Sequence, residues 1–275
     1  MEKYLIISDL DGTLLNNKRK ISFKTKLYIK KLTKAGHYFI IASGRPFQGC
    51  IHFYNQLKLN TPLICDNGGS IHFPFDHSKD IYTSIPLDLF LDLIKEINPY
   101  IHAAMSSNFD TIHFYNSKDV PFFVKHFEKP RKILEGNFLD IIKIPPINPS
   151  FYIKKEKTKE VLKILNKEKY SSIIEIRYWK GKENMDTIEL FNKYASKGYA
   201  LDKLKELLNI KHENDLAFGD ELNDLEMLQH AYNSVAMING NEEIKKFAKY
   251  ISNKPNNKNG VIHFIRKFLK NKKAP

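Results

Sequence analysis

Residues 6–15 of the chain read "IISDLDGTLL", which places two carboxylates directly after a short apolar run. An apolar run such as residues 4–7, bounded by turn-forming residues, is typical of a buried strand in a parallel sheet. Asp9 and Asp11 then lie at the carboxyl end of this strand, and open α/β sheets bind ligands at that edge. At roughly 6% for each residue type, Asp-x-Asp-Gly-Thr arises by chance about once in 10⁵ positions. The stretch therefore predicts both a fold and a site.

Helix and strand patterns alternate after this stretch. Residues 22–35 predict a helix, with Ser22 at the N-cap and Gly36 just past the end. Its apolar positions at helical spacing are Phe23, Leu27, Tyr28 and Leu32. Residues 38–42 and 63–65 predict two further buried strands. This order indicates a parallel sheet with right-handed crossovers.

The same alternation of helices and strands returns late in the chain. Between these two halves the order of helices and strands is different. The late part predicts, in order, helix 197–208, strand 216–219, helix 223–231, strand 234–238, helix 242–251 and helix 261–269. The middle predicts helix 87–97, strands 101–105 and 111–116, a proline-rich stretch, strand 151–155, helix 158–168 and strand 172–179. We therefore predict a core formed by residues 1–83 and 188–275, with an α+β domain inserted at 84–187.

Composition narrows the class of protein. A chain of 275 residues with 42% hydrophobic content can bury a sizeable core. No window approaches the length of a membrane span and no signal sequence is apparent, so we expect a cytoplasmic protein with no membrane partner. The formal charge of +13 comes mostly from dispersed lysines, without a basic block interleaved with aromatics, so we expect no nucleic acid partner. Cys50 and Cys65 lack CxxC spacing and are predicted to be buried free thiols.

If the two halves form one sheet, four strand ends meet at one crevice. At the first, Asp9 can act as a nucleophile toward phosphorus, and Asp11 can protonate a leaving oxygen and later activate water. Gly12 permits a sharp turn and Thr13 offers a hydroxyl. At the second, Ser43 and Gly44 offer a hydroxyl and a backbone N–H that suit a phosphoryl oxygen, although Ser-Gly is also ordinary turn chemistry.

The other two strand ends bring a cation and two more acids. Lys197 follows a predicted N-cap at Ser196, where the helix dipole disfavours a cation unless an anion lies nearby. Asp220 and Asp224 flank Asn223, and acids crowded beside Asp9 would raise one another's pKa unless a cation is present. Mg²⁺ fits such a set of oxygen ligands. A plain helix N-cap at Asn223 is compatible with this interpretation.

Two further groups point less directly to function. The ten histidines show no HxxxH or HExxH spacing, so a zinc site is not expected. Arg177, Tyr178 and Trp179 could form a specificity patch in the inserted domain, or simply a surface strand.

Four stretches, "DLDGTLL", "IIASGRP", "SKG" and "GDELND", occur in the order of the four signature motifs of the haloacid dehalogenase superfamily of phosphohydrolases. More narrowly, the chain resembles the Cof-type phosphatases. That resemblance implies an α/β fold: a Rossmann-like parallel-sheet core with an inserted α+β cap. The chain differs from the family pattern at Ile238, because the family usually has a glycine before the asparagine found here at Asn239.

The resemblance also implies roles for individual residues. Asp9 would be the nucleophile and Asp11 the general acid and base. The metal group would be Asp9, Asp11 through its backbone carbonyl, Asp220 and Asp224, holding Mg²⁺. The phosphate-binding group would be Thr13, Ser43, Gly44, Lys197 and Asn223. Arg45 and Asn67 are assigned to the substrate.

The sequence therefore predicts a Mg²⁺-dependent phosphatase that acts on a small phosphorylated metabolite through an aspartyl phosphate. Sugar phosphates, nucleotides and phosphorylated cofactors all fit, and the oligomeric state is not predicted. A phosphomutase on the same scaffold, or a basic nucleic-acid-binding or regulatory protein, are the alternatives.

Overall fold

The computed structural model of the chain describes residues 2–107, 111–120, 132–181 and 184–272. The strands, in chain order, are β1 Leu5–Ser8, β2 Tyr38–Ile41, β3 Leu63–Cys65, β4 Ser70–His72, β5 Ile81–Tyr82, β6 Ile101–Ser107, β7 Thr111–Tyr115, β8 Lys132–Glu135, β9 Ser150–Lys154, β10 Ile174–Trp179, β11 Met185–Asn192, β12 Asp215–Gly219, β13 Ser234–Ala236 and β14 Tyr250–Ile251. The helices are α1 Phe23–Lys34, α2 Phe47–Leu57, α3 Leu87–Ile97, α4 Phe138–Ile141, α5 Lys155–Leu165, α6 Glu168–Ser171, α7 Lys197–Leu207, α8 Leu225–His230, α9 Glu242–Lys245 and α10 Gly260–Asn271.

The described residues divide into two compact units. The first contains the residues up to Arg45, Cys50–Ile81 and the residues from Ser196 onward, and the second contains Pro46–Gly49 and the described part of Tyr82–Ala195. The predicted boundary at residue 187 falls inside β11, which pairs with β10 and β9 in the second unit.

The first unit is built on a parallel sheet in the order β14-β13-β12-β1-β2. Every residue of β1 and β12 is buried, as expected where helices cover both faces of a parallel sheet. The chain passes from β1 to β2 on one side and from β12 to β13 on the other. The carboxyl ends of β1 and β12 therefore lie at a topological switch point, where α/β sheets bind ligands.

Two predictions about elements of this unit need correction. The helix predicted at 242–251 ends at Lys245, and Tyr250–Ile251 instead forms the edge strand that pairs with β13. Helix α1 has the predicted Ser22 cap, but Phe23 and Leu27 are 73% and 53% exposed. The helix buries Leu32, as predicted, together with Thr25 and Ile29, which were not predicted.

A small sheet has the order β3-β4-β5, and β4 and β5 were not predicted. Its strands belong to the first unit except for Tyr82, the last residue of β5. This small sheet lies next to the end of β2, because Ala42, just after β2, forms a parallel bridge with Ile64 in β3. Cys50 and Cys65 are buried free thiols, as predicted.

The second unit is a six-stranded sheet in the order β10-β11-β9-β6-β7-β8, with α3 and α5 among the helices whose apolar side chains share its core. Its pairings are antiparallel except between β7 and β8, which confirms the α+β texture expected of the insertion. Trp179 is 57% exposed, and the Arg177 guanidinium lies 4.4 Å from the centre of the Phe191 ring. Across the described ranges, no helix combines the length and apolarity needed to cross a membrane.

Candidate active site

The turn that follows β1 is held in place by contacts to the later half of the chain. The Asp9 N–H donates to the Phe218 carbonyl at 3.0 Å, so Asp9 is still in register with β12. Gly12 has φ +78°, and a Cβ there would lie 2.0 Å from Asp220 Oδ2. Both the backbone conformation and the close approach of a carboxylate therefore require glycine.

The Gly12 carbonyl is anchored by Asn239, a residue whose role the sequence left in doubt. Asn239 Nδ2 donates to this carbonyl at 2.8 Å, and Asn239 Oδ1 accepts from the Asn256 N–H at 2.9 Å. The sequence feature that could have indicated this role is the position of the asparagine shortly after the apolar run of β13, at the same sheet edge as Asp9. Its contact is to backbone, so its role here is to fix the turn.

Lys197 lies between two buried carboxylates. Its Nζ donates to Asp9 Oδ1 and to Asp224 Oδ1, each at 2.6 Å. The side chain of Lys197 is fully buried at the first residue of α7, whose N-cap Ser196 accepts from the Tyr199 N–H. The expected anion beside this helix start is therefore present, as two aspartates.

Burial and charge act in opposite directions on this group. Burial raises the pKa of Asp9 well above its usual value; Lys197 opposes that shift, while Asp224 and Asp220 add to it. Burial alone would lower the pKa of Lys197, but Asp224 and Asp9 outweigh it and raise the pKa. The lysine is thus a firmly held cation in a site with a surplus of negative charge.

Asp220 belongs to the same cluster of carboxylates. It accepts from the Thr13 hydroxyl at 2.6 Å, so in this structure Thr13 contacts a carboxylate. Burial raises the pKa of Asp220 to about 6, against the lowering effect of that hydrogen bond. Asp224 Oδ2 accepts from the N–H groups of Asp220 and Glu221 at 2.9 and 3.1 Å, which fixes the turn after β12.

Asp11 has a different environment from Asp9. Its side chain is 48% exposed and forms a two-bond pair with Arg45, with Nε to Oδ2 and Nη2 to Oδ1 both at 2.7 Å. The guanidinium also lies 5.3 Å from the centre of the Phe53 ring. One aspartate is therefore buried and held by a lysine, while the other is accessible and held by an arginine.

The loop after β2 meets the loop after β3 beside these residues. Ser43 is buried, and its Oγ accepts from the Arg45 N–H at 3.2 Å. Asn67 donates its backbone N–H to the Ser43 carbonyl at 3.0 Å, and its Oδ1 accepts from Asn223 Nδ2 at 2.9 Å. A Cβ on Gly44 would lie 2.8 Å from that Oδ1, so glycine is needed there for close packing.

The donor set fits a magnesium ion. Asp9, Asp220 and Asp224 each offer a carboxylate oxygen, and these atoms lie within 4.8 Å of one another. Burial is the largest cause of the raised pKa values of Asp9 and Asp220, and the neighbouring Asp224 carboxylate raises both further. Mg²⁺ prefers oxygen ligands, and its charge would offset the repulsion.

Aspartates at the end of the first strand, a buried lysine and a second aspartate pair on a parallel sheet together define a phosphohydrolase of the α/β class. Residues 6–265 match the family model of haloacid dehalogenase-like hydrolases, and the chain belongs to that family. The family resemblance found in the sequence is thereby confirmed. The protein is a phosphoric monoester hydrolase that acts on small phosphate substrates.

Named relatives agree with this class. The chain is 30% identical over 269 residues to a 5-amino-6-(5-phospho-D-ribitylamino)uracil phosphatase, YitU, of Bacillus subtilis, with 97% of each chain covered. It is 29% identical to a second phosphatase of that name, YcsE, covering 96% of this chain and 95% of the relative. A haloacid dehalogenase-like hydrolase from Bacteroides thetaiotaomicron has a similar structure, with a TM-score of 0.78, 27% identity and coverage of 97% and 100%.

Proposed function

We propose that the protein is a Mg²⁺-dependent phosphatase that hydrolyses a small phosphate monoester through an aspartyl phosphate on Asp9. The observation that carries this proposal is the Lys197 ammonium shared by Asp9 and Asp224. A buried carboxylate with a raised pKa would otherwise be protonated and poorly nucleophilic. Lys197 counteracts that tendency and orients the carboxylate.

Asp9 forms the covalent intermediate. Lys197 holds Oδ1, so we assign Oδ2 as the atom that attacks phosphorus. The bond from phosphorus to the ester oxygen breaks as the new bond forms, and Asp11 gives its proton to the leaving oxygen. The Asp11 carboxylate then takes a proton from water, the water oxygen attacks phosphorus, and phosphate and free Asp9 result.

Arg45 is held beside the reacting groups by Asp11. Its guanidinium forms two hydrogen bonds with the Asp11 carboxylate. An arriving phosphoryl group competes for this guanidinium. This gives Arg45 its proposed contact with the substrate.

The remaining residues position the phosphoryl group. We assign the Ser43 hydroxyl, the Gly44 N–H and Lys197 to its oxygens, and Asn67 and Asn223 to orienting that loop and the substrate. Asp9, Asp220, Asp224 and the backbone carbonyl of Asp11 would hold Mg²⁺. When bound, the ion neutralises charge on the transferring group.

For the substrate we propose a small phosphorylated metabolite, and the compound named for the two Bacillus subtilis relatives is the first candidate. Residues 84–187 remain our proposal for the domain that selects the leaving group. We also propose a cytoplasmic location.

The test is release of free phosphate from a panel that contains 5-amino-6-(5-phospho-D-ribitylamino)uracil, sugar phosphates, nucleotides and phosphorylated cofactors. Each is assayed with Mg²⁺ or chelator, using wild type, Asp9→Asn and the control Asp88→Asn, an exposed residue in the first turn of α3. We expect Mg²⁺-dependent release that Asp9→Asn abolishes and Asp88→Asn retains. Release that is unaffected by chelator or by Asp9→Asn would contradict the proposal.

A further inference from the structure

A second cluster of metal-ligand side chains lies in the segment from β4 to β5, and the phosphatase reaction does not use it. His72 ends β4, His77 lies in the following turn and Asp80 precedes β5. His72 Nδ1 lies 2.9 Å from Asp80 Oδ2, and His77 Nδ1 lies 3.1 Å from the same oxygen. Two imidazole rings therefore converge on one carboxylate oxygen.

We propose that His72, His77 and Asp80 form a binding site for Zn²⁺. Two imidazole nitrogens and a carboxylate oxygen are a borderline donor set, unlike the all-oxygen set around Asp9. Ligand atoms about 2.0–2.1 Å from a tetrahedral zinc ion are separated by roughly 3.4 Å. The two observed nitrogen–oxygen separations of 2.9 and 3.1 Å need only a few tenths of an ångström of adjustment. All three ligand atoms lie within 4.8 Å of one another.

The surrounding hydrogen bonds orient the ligands as zinc sites require. His72 Nε2 lies 3.0 Å from Ser70 Oγ, and that hydroxyl donates to Asp66 Oδ2 at 2.7 Å. A histidine that binds metal through one ring nitrogen donates its other N–H to such a partner. The Phe73 N–H donates to Asp80 Oδ1 at 2.6 Å, which leaves Oδ2 as the oxygen facing the two imidazoles.

A cation at Nδ1 of His72 is compatible with these hydrogen bonds, whose direction at the imidazole ring depends on its tautomer. With the metal on Nδ1, Nε2–H donates to Ser70, and Ser70 donates to the Asp66 carboxylate, so every donor meets an acceptor. A neutral His72 with its proton on Nδ1 reverses the chain and requires a protonated Asp66. The metal-binding experiment separates these two arrangements.

Access to the site is from one side. The side chains of His72 and Asp80 are 1% and 2% exposed, whereas that of His77 is 43% exposed. An ion can therefore enter beside His77, where water can supply the remaining ligand. HxxxH spacing places ligands on one helix face, whereas these ligands come from a strand end, a turn and the loop after it. The cluster therefore has no such signature in the sequence.

The site would tie this segment to the catalytic loops. Ser70 contacts Asp66, whose backbone N–H donates to the Arg45 carbonyl at 2.9 Å. A metal ion bound to the folded state alone raises the melting temperature by mass action. We therefore expect Zn²⁺ to stabilise the fold in addition to any effect of Mg²⁺.

The experiment is a calorimetric titration of chelator-treated full-length protein with Zn²⁺ in excess Mg²⁺, with metal content measured after dialysis. The variants are His77→Ala, whose exposed position tolerates truncation, Asp9→Asn, and the control His263→Ala on α10. We expect one Zn²⁺ per chain in wild type, Asp9→Asn and His263→Ala. His77→Ala should weaken binding at least 10-fold and remove the rise in melting temperature.

Three outcomes would overturn the proposal. Folded wild type that binds no Zn²⁺ would show that the cluster is a hydrogen-bonded network only. Equal binding by wild type and His77→Ala would place the ion elsewhere. Binding lost in Asp9→Asn but kept in His77→Ala would assign it to the phosphatase site.

Discussion

At the scale of the residue, the proposed reaction depends on how one lysine is shared. Lys197 contacts Asp9 and Asp224 at equal distances, so we propose that it both orients the nucleophile and balances a carboxylate of the proposed metal group. Removing one member of a buried charged group leaves the others uncompensated.

Replacement of Lys197 by methionine tests this sharing. We expect Lys197→Met to lower kcat at least about 100-fold, because a cation at the transferring group is lost. In chelator the variant should also lose about 3 kcal/mol of stability, since two buried carboxylates then face each other. Thermal melts and steady-state kinetics measure both effects, with the exposed Lys203→Met on the same helix as control. Equal melting of the two variants in chelator would contradict the account.

Asp66 gives the fold a pH dependence of its own. It is buried, and among the described residues its Oδ1 has no hydrogen-bond partner. Burial raises its pKa to about 7, against the lowering effect of the Ser70 hydroxyl. The folded state then binds a proton that the unfolded state releases, so stability is present below about pH 4 and is lost as pH rises to about 7.

We therefore expect Asp66→Asn to flatten the loss of stability between about pH 4 and 7. The shift in pKa corresponds to an upper limit of roughly 4 kcal/mol. Asparagine also suits the backbone here, because Asp66 has φ +52°. Urea unfolding of wild type and variant in chelator across this pH range measures the effect. Parallel pH profiles of the two proteins would show that Asp66 does not cause it.

At the scale of the element, the turn Leu10–Leu14 places Asp11 and receives Asp220 at the same point. Within this turn, Gly12 is needed for two separate reasons: its φ is positive, and a Cβ would clash with Asp220. A second glycine in the chain meets only the first of these conditions and serves as a control. Gly36 has φ +88°, but a Cβ there would meet no closer atom than Lys3 Cε at 3.8 Å.

We expect both Gly12→Ala and Gly36→Ala to cost about 1–2 kcal/mol, because alanine is strained at positive φ. Only Gly12→Ala should also displace the Asp220 carboxylate and raise the Mg²⁺ concentration needed for half-maximal rate, by about 10-fold or more. Urea unfolding and Mg²⁺ titrations of the rate measure these effects. An unchanged Mg²⁺ requirement in Gly12→Ala would mean that Asp220 is not a metal ligand.

How far the sequence predicts the structure also differs between elements. The strand ends that carry Asp9, Ser43 and Asp220 were predictable, because an apolar run followed by polar residues is a local signal. The buried face of α1 and the edge strand at Tyr250 were not predictable. The surface that packs against a helix decides which of its faces is buried, and the neighbouring strand decides which segment pairs with it.

The same division holds among the site residues. Lys197 was predicted from its place at a helix start, next to an expected anion. Three other contacts form only when folding brings separate segments of the chain together. They are the Asp11–Arg45 pair, the Asn239 contact to Gly12 and the approach of His77 to Asp80. Their residue types were visible in the sequence, but their partners were not.

At the scale of the whole molecule, the first unit gathers negative charge at one sheet edge although the chain carries a formal charge of +13. We expect Mg²⁺ to raise the melting temperature, because the proposed site exists only in the folded arrangement of Asp9, Asp220 and Asp224. Asp220→Asn should reduce that rise, while the exposed Asp88→Asn should keep it. Identical melts of wild type with Mg²⁺ and with chelator would argue against the metal site.

In the proposed reaction, Asp9 accepts the phosphoryl group and Asp11 then supports its hydrolysis. Rapid quenching of a reaction with ³²P-labelled p-nitrophenyl phosphate tests it directly, because this leaving group departs without a proton from Asp11. We expect label on the wild-type protein at early times, more label on Asp11→Asn, and none on Asp9→Asn. Labelled Asp9→Asn, or turnover by wild type and Asp11→Asn without any labelled protein, would contradict it.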